Sequence, residues 1–148
     1  MWASSLRVPS HLVEAASRVY LMALSRNLLQ GRRTNVVVGA TLYIACRREH
    51  FPALLVEFAN VMGVNMFSLG ATYLRLSRAL GLKMPPLDPT LYLHKFASRL
   101  NLGPAIPAVT QTATRLVTRM RKDWIAEGRR PQAICGAALL VAARVHGF

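Results

Sequence analysis

Residues 31–34 read Gly-Arg-Arg-Thr, and residues 128–131 read Gly-Arg-Arg-Pro. In both places two guanidinium groups stand just ahead of a long apolar stretch. Arginine offers a planar fork of N–H donors that matches phosphate oxygens. The first turn of a helix adds unpaired backbone N–H groups and the positive end of the helix dipole. A cation there is mildly unfavourable unless an anion joins it, and this chain repeats the placement. Arg32, Arg33 and Thr34 are therefore one candidate nucleic-acid contact, and Arg129 and Arg130 a second. A third is Lys122, which shares a helical face with Arg115 and Arg119 at i, i+4 and i+7 spacing. That basic stripe also reads as an ordinary solvated face.

Other chemistry finds no support. The histidines at 11, 50, 94 and 146 have no metal spacing among themselves. Cys46 and Cys135 form no CxxC pair and lie in apolar helical patterns, as core thiols do. Neither GxGxxG nor GxxxxGK[ST] occurs. The six acidic residues are scattered and make no catalytic grouping. The expectation is no catalytic residue, no metal, no cofactor and no small-molecule substrate.

The bulk numbers agree. The chain has 148 residues, 19 Lys plus Arg and 6 Asp plus Glu, for a net charge of +13. All but Lys83, Lys95 and Lys122 of those cations are arginine. With 53% hydrophobic residues the chain can still bury a core. A basic, core-forming domain points first to nucleic acid, then to an anionic membrane or an acidic protein. The longest apolar runs, 36–46 and 133–143, reach about half of the roughly 20 residues a bilayer span needs. They read as buried helices, and no membrane partner is expected.

Almost every segment reads as helix. Ser10 caps a first helix over 10–30 that stops at Gly31. Thr34 caps a second that ends at Arg47 and Arg48. A short helix over 53–62 stops at Gly63, and Asn65 caps another over 66–80. Residues 81–87 are rich in Pro and Gly and read as a joint. Asp88-Pro89 then starts a helix to about 101. Two more cover 105–127 and 131–146. Tyr43, Tyr73, Phe96 and Trp124 sit at core spacing, while Arg47, Arg48 and Arg144 suit helix ends and solubility.

An offset of 97 residues lays 16–51 on 113–148 without a gap. Eleven of the 36 positions are identical, among them the Gly-Arg-Arg triplet, Gly39/Gly136, Ala40/Ala137, Arg47/Arg144 and Phe51/Phe148. The period is too long for a solenoid repeat, so a small helical domain is duplicated. The boundaries expected are 1–81 for the first repeat, 82–87 for a linker and 88–148 for the second. Relative to a five-helix unit, the first repeat lacks its first helix and the second its last two. The expectation is that the native protein extends beyond one or both ends.

These residues carry a resemblance. Two tandem repeats with a "GR–helix–LYIACR" core resemble the cyclin-fold core of TFIIB-type transcription initiation factors. Residues 65–74 (NMFSLGATYL), 87–97 (LDPTLYLHKFA) and 119–144 (RMRKDWIAEGRRPQAICGAALLVAAR) are more similar to the TFIIB-related, or Brf, branch that serves RNA polymerase III in TFIIIB. The resemblance implies an all-α fold of two cyclin-like repeats and a nuclear, non-enzymatic factor. It implies contacts with TATA-binding protein, promoter DNA, RNA polymerase III and the other TFIIIB subunits. The loop matching residues 29–34 approaches DNA beside the TATA box in that family, and the loop matching 127–131 faces DNA or TATA-binding protein. The family's zinc ribbon and its upstream-reading helix-turn-helix are absent from this sequence, which implies weak DNA binding by the chain alone. TFIIB itself is an alternative. So is a kinase-binding cyclin, because residues 120–125 (MRKDWI) resemble the opening of a cyclin box.

Overall fold

The computed structural model describes residues 5–85, 89–122 and 131–148. Among these residues all regular structure is helical. The order is α1 (Ser10–Ser25), α2 (Thr34–Arg48), α3 (Leu55–Met62), α4 (Met66–Ala79), α5 (Thr90–Ala97), a 3₁₀ turn (Gly103–Ala105), α6 (Ile106–Lys122) and α7 (Pro131–Val145). The chain divides into two compact units, Met1–Pro85 and Pro86–Phe148.

In the first unit α2 is the central element. Ten of its fifteen residues are buried, including Val37, Ala40, Ile44 and Cys46. A helix apolar on all sides must be wrapped by others. Leu12, Ala16, Val19 and Ala23 of α1 face it from one side. Phe58 and Met62 of α3 and Leu69, Tyr73 and Leu76 of α4 join the same core. Each such side chain, taken from water, contributes about 1.5–3 kcal/mol.

Helix ends follow local chemistry, with departures from the sequence reading. Pro9, not Ser10, holds the capping position of α1, Ser10 is its first helical residue, and α3 starts at Leu55 rather than 53. The first helix ends at Ser25, six residues before Gly31. Asn27 takes a left-handed conformation (φ 57°), and the Leu28 N–H closes back on the Ala23 carbonyl at 3.0 Å. Asparagine is the side chain that tolerates this cap best after glycine. Gly31 (φ 75°) then makes a separate turn. At the start of α2 the capping position belongs to Arg33, whose backbone is extended (φ −68°, ψ 136°), and Thr34 is the first helical residue. The α5 helix stops at Ala97, where the Ser98 hydroxyl donates to the Lys95 carbonyl at 2.7 Å and the chain turns. Asn65 behaves as expected: its Oδ1 accepts from the Phe67 N–H at 2.7 Å.

The second unit packs α5, α6 and α7 together. Tyr92 and Leu93, Val109, Ala113 and Val117, and Ile134, Cys135, Ala138 and Ala142 form its interior. Cys135 is buried, and its Sγ–H donates to the Pro89 carbonyl at 3.0 Å. Cys46 is buried in the first unit, and neither cysteine is in a disulfide.

The duplication is visible in three dimensions. Adding 97 to the bounds of α2 gives the bounds of α7. Their ends match bond for bond. Glu49, His50 and Phe51 N–H groups donate to Ala45, Arg47 and Cys46; His146, Gly147 and Phe148 donate to Ala142, Arg144 and Ala143. His50 (φ 56°) occupies the left-handed position that Gly147 (φ 88°) fills in the second copy.

One face breaks the correspondence. Gly39, Ala40, Tyr43 and Ile44 are buried under α3 and α4, whereas their counterparts Gly136, Ala137, Leu140 and Val141 are exposed. Beside them lies an open groove of about 750 Å³, lined by Phe96, Leu100, Gly136, Leu140 and Phe148.

Candidate nucleic-acid interface

The loop from α1 to α2 is short, so the C-terminal end of α1 and the start of α2 lie at the same end of the first unit. Two arginines pin this end to α4. Arg26 donates to the Ala79 carbonyl at 3.3 Å, and Arg32 donates to the Thr72 hydroxyl at 3.4 Å. Thr72 and Ala79 are seven residues apart, about two turns on one side of the helix. Thr72 is buried, so Arg32 is drawn down and is half-buried. The Arg32 N–H also closes a turn on the Leu29 carbonyl at 3.2 Å.

Arg33 and Thr34 stay exposed at the mouth of α2. No acidic residue lies in the first turn of that helix. Arg75 and Arg78, both exposed, continue the basic surface along α4. Neither residues 15–48 nor 58–85 contain a carboxylate. The result is an end of the unit that carries Arg26, Arg32 and Arg33 beside the positive end of a helix dipole, with Arg75 and Arg78 exposed on the neighbouring α4. It can take phosphate oxygens, with Arg32 braced from below and Arg33 free to reach outward.

Of the six residues expected from sequence to touch nucleic acid, the structure brings Arg32, Arg33 and Thr34 together. Lys122 is the exposed last residue of α6 in the other unit. Arg129 and Arg130 lie outside the described residues, as does Trp124. Sequence reasoning missed Arg26, Thr72 and Arg75. The separation of 40 residues between Arg32 and Thr72 hides that pair; only the packing of α4 against α2 joins them. A signal was available in part, since Thr72, Arg75 and Ala79 share one side of a helix that carries no acid. Among the described residues no group of His, Cys, Asp and Glu could hold a metal, and no helix is long and apolar enough to cross a membrane.

Comparison with known proteins supplies the context. The family described as the transcription factor TFIIB repeat matches residues 1–79 and again 82–148. The transcription factor IIIB 60 kDa subunit of Schizosaccharomyces pombe is 44% identical over 99% of this chain and 30% of its own length. The transcription factor IIIB 90 kDa subunit of Homo sapiens is 43% identical over 98% of this chain and 21% of its own. Transcription initiation factor IIB 2 of Thermococcus kodakarensis is 34% identical over 98% of this chain and 46% of its own. The chain thus spans between about a fifth and a third of the transcription factor IIIB subunits it matches. Two helical units whose matching helices end in the same hydrogen bonds at an offset of 97 residues, each matched by the same repeat, admit one assignment: the chain belongs to the transcription factor TFIIB repeat family.

Proposed function

We propose that this chain is the repeat core of a TFIIB-related subunit of TFIIIB. In this reading it acts in the nucleus, without enzymatic activity, in initiation by RNA polymerase III. It grips TATA-binding protein on promoter DNA and presents that complex to the polymerase and the other TFIIIB subunits. The observation that carries the reading is the difference in identity. The transcription factor IIIB subunits stand at 38–44% and the archaeal transcription initiation factors IIB at 34–35%, over nearly the same stretch of chain. The basic pole around Arg33 gives the contact a physical basis, because promoter DNA presents a dense line of phosphates.

A band shift tests it. The chain is added to a TATA-containing duplex with and without TATA-binding protein. The expected result is a supershift that requires TATA-binding protein and weakens in Arg33→Ala. Equal binding to any duplex, with no dependence on TATA-binding protein, would sink the proposal.

A further inference from the structure

Arg47 stands next to the end of α2, where sequence reasoning gives it only the helix terminus and solubility. The structure gives it more. Its guanidinium is half-buried and lies 5.9 Å from the ring centroids of both Tyr43 and Tyr73. Those rings meet edge to face, with centroids 4.9 Å apart. One guanidinium nitrogen donates to the Tyr73 hydroxyl at 3.3 Å, and the other donates to the Pro85 carbonyl at 3.0 Å.

The Pro85 bond is the informative one. Past α4, Gly81 turns left-handed (φ 64°) and the Leu82 N–H closes on the Ser77 carbonyl at 2.9 Å. Leu82 and Met84 are half-buried against the first unit's core. Arg47 then holds the carbonyl of Pro85, the last residue of that unit. Residues 82–85, read from composition as a joint, are tied down along their length. The duplication supplies a control. In α7 the counterpart of Arg47 is Arg144, the counterpart of Tyr43 is Leu140, and Arg144 is exposed. The shared helix thus carries no tyrosine at that place in the second copy, and the aromatic seat belongs to the first unit, whose chain runs on at Pro85 into the second.

We propose that Arg47 is a positioning residue: it anchors the point where the chain leaves the first unit, and so shortens the tether that lets both units engage one promoter complex. With the anchor, residues 86–89 separate Pro85 from α5; when its loss lets the Leu82 and Met84 contacts open in turn, residues 82–89 do. Doubling a tether lowers the effective concentration of the second unit about threefold. The promoter part of this proposal rests on the function proposed above, and the anchoring part does not.

The test uses the full chain in three forms: wild type, Arg47→Met and Tyr73→Phe. Trypsin cleavage after Lys83 in the free protein reads the anchor. The expected result is cleavage about tenfold faster in Arg47→Met, by local opening, with little change at the arginines of α1 and α2. Tyr73→Phe keeps the Pro85 bond and should cleave as wild type does. Assembly on TATA-binding protein and duplex should weaken about threefold in Arg47→Met only. Unchanged cleavage after Lys83, or acceleration at every site of the first unit, would overturn the anchor. Faster local cleavage with undiminished assembly would overturn the tether. If the wild-type chain itself fails to join the complex, the proposed function falls and the tether's purpose with it, while cleavage still judges the anchor.

Discussion

Arg32 and Arg33 are adjacent in sequence, yet only Arg32 is held by a side-chain partner from α4. The two substitutions should separate accordingly. Arg33→Ala removes an exposed side chain, so stability should stay within about 0.5 kcal/mol of wild type. Its effect should fall on DNA: with one phosphate fewer neutralised, the log–log salt dependence of promoter-complex binding should flatten by about 0.9. Arg32→Ala should also cost stability, about 0.5–1.5 kcal/mol for the Thr72 hydrogen bond, as read by chemical denaturation. Tyr73 offers a second residue-scale expectation. Burial disfavours its phenolate and raises its pKa above the ordinary 10.0, against the opposing pull of the Arg47 charge. A group whose folded pKa is raised contributes stability that is complete below its unfolded value and lost as pH rises through the folded one. Denaturation should therefore show stability falling above pH 10.0, and Tyr73→Phe should remove that part of the decline. The double Arg motif and the small residues inside the helices are legible in sequence. The Arg47 seat is only half so: Tyr43 sits one turn away on the same helix, but Tyr73 and Pro85 arrive through packing.

Among elements, the contrast between α2 and α7 is the most instructive, because the two helices share bounds, end geometry and much of their sequence. Gly39 lies against Leu69 and Met62. A Cβ there would come within 3.0 Å of Leu69 Cδ1 and 3.3 Å of Met62 Sδ. Leu69 is fully buried and Met62 nearly so, leaving neither room to yield. Gly39→Ala should thus destabilise the first unit by about 1–3 kcal/mol, through overpacking that outweighs the better helix propensity. A Cβ on Gly136 would meet nothing within 4 Å. Gly136→Ala should instead stabilise the second unit by about 0.5–1 kcal/mol. Thermal melts of the two variants check the opposite signs. Sequence periodicity finds both helices and their offset, because apolar patterns and Gly-Arg-Arg triplets are local. Periodicity alone does not tell which face is covered, since that depends on α3 and α4 packing on α2; the helix count does, because within these 148 residues the second repeat has no counterpart of either. Periodicity also overestimates helix length where a cap other than glycine stops the chain, as Asn27 does.

For the whole molecule, the fold is readable because two weak signals reinforce each other. Each unit alone is an ordinary helical cluster, but an ungapped 97-residue offset makes every assignment in one copy a check on the other. What stays hidden is what surrounds each copy: Gly39 lies under Leu69 and Met62, while the positions that the offset pairs with those two fall outside the 148 residues, and Gly136 stands open. A pairwise match of letters does not record such side-chain environments.

The uncovered face of α7 has a colloidal consequence. Leu140 is 58% exposed, Val141 50% and Phe148 57%, on a chain whose net charge is +13. At low ionic strength, repulsion between like-charged copies keeps these apolar faces apart. At about 0.15 M salt the screening length shrinks to about 8 Å, and that protection fades. Light scattering of the isolated chain should accordingly rise with added salt, opposite to the salting-in usual for a charged protein, and Leu140→Ser should suppress the rise. A preparation kept monodisperse by low salt holds its copies apart by the same charges that draw it to polyanions, so contaminating nucleic acid would act as its solubiliser until removed.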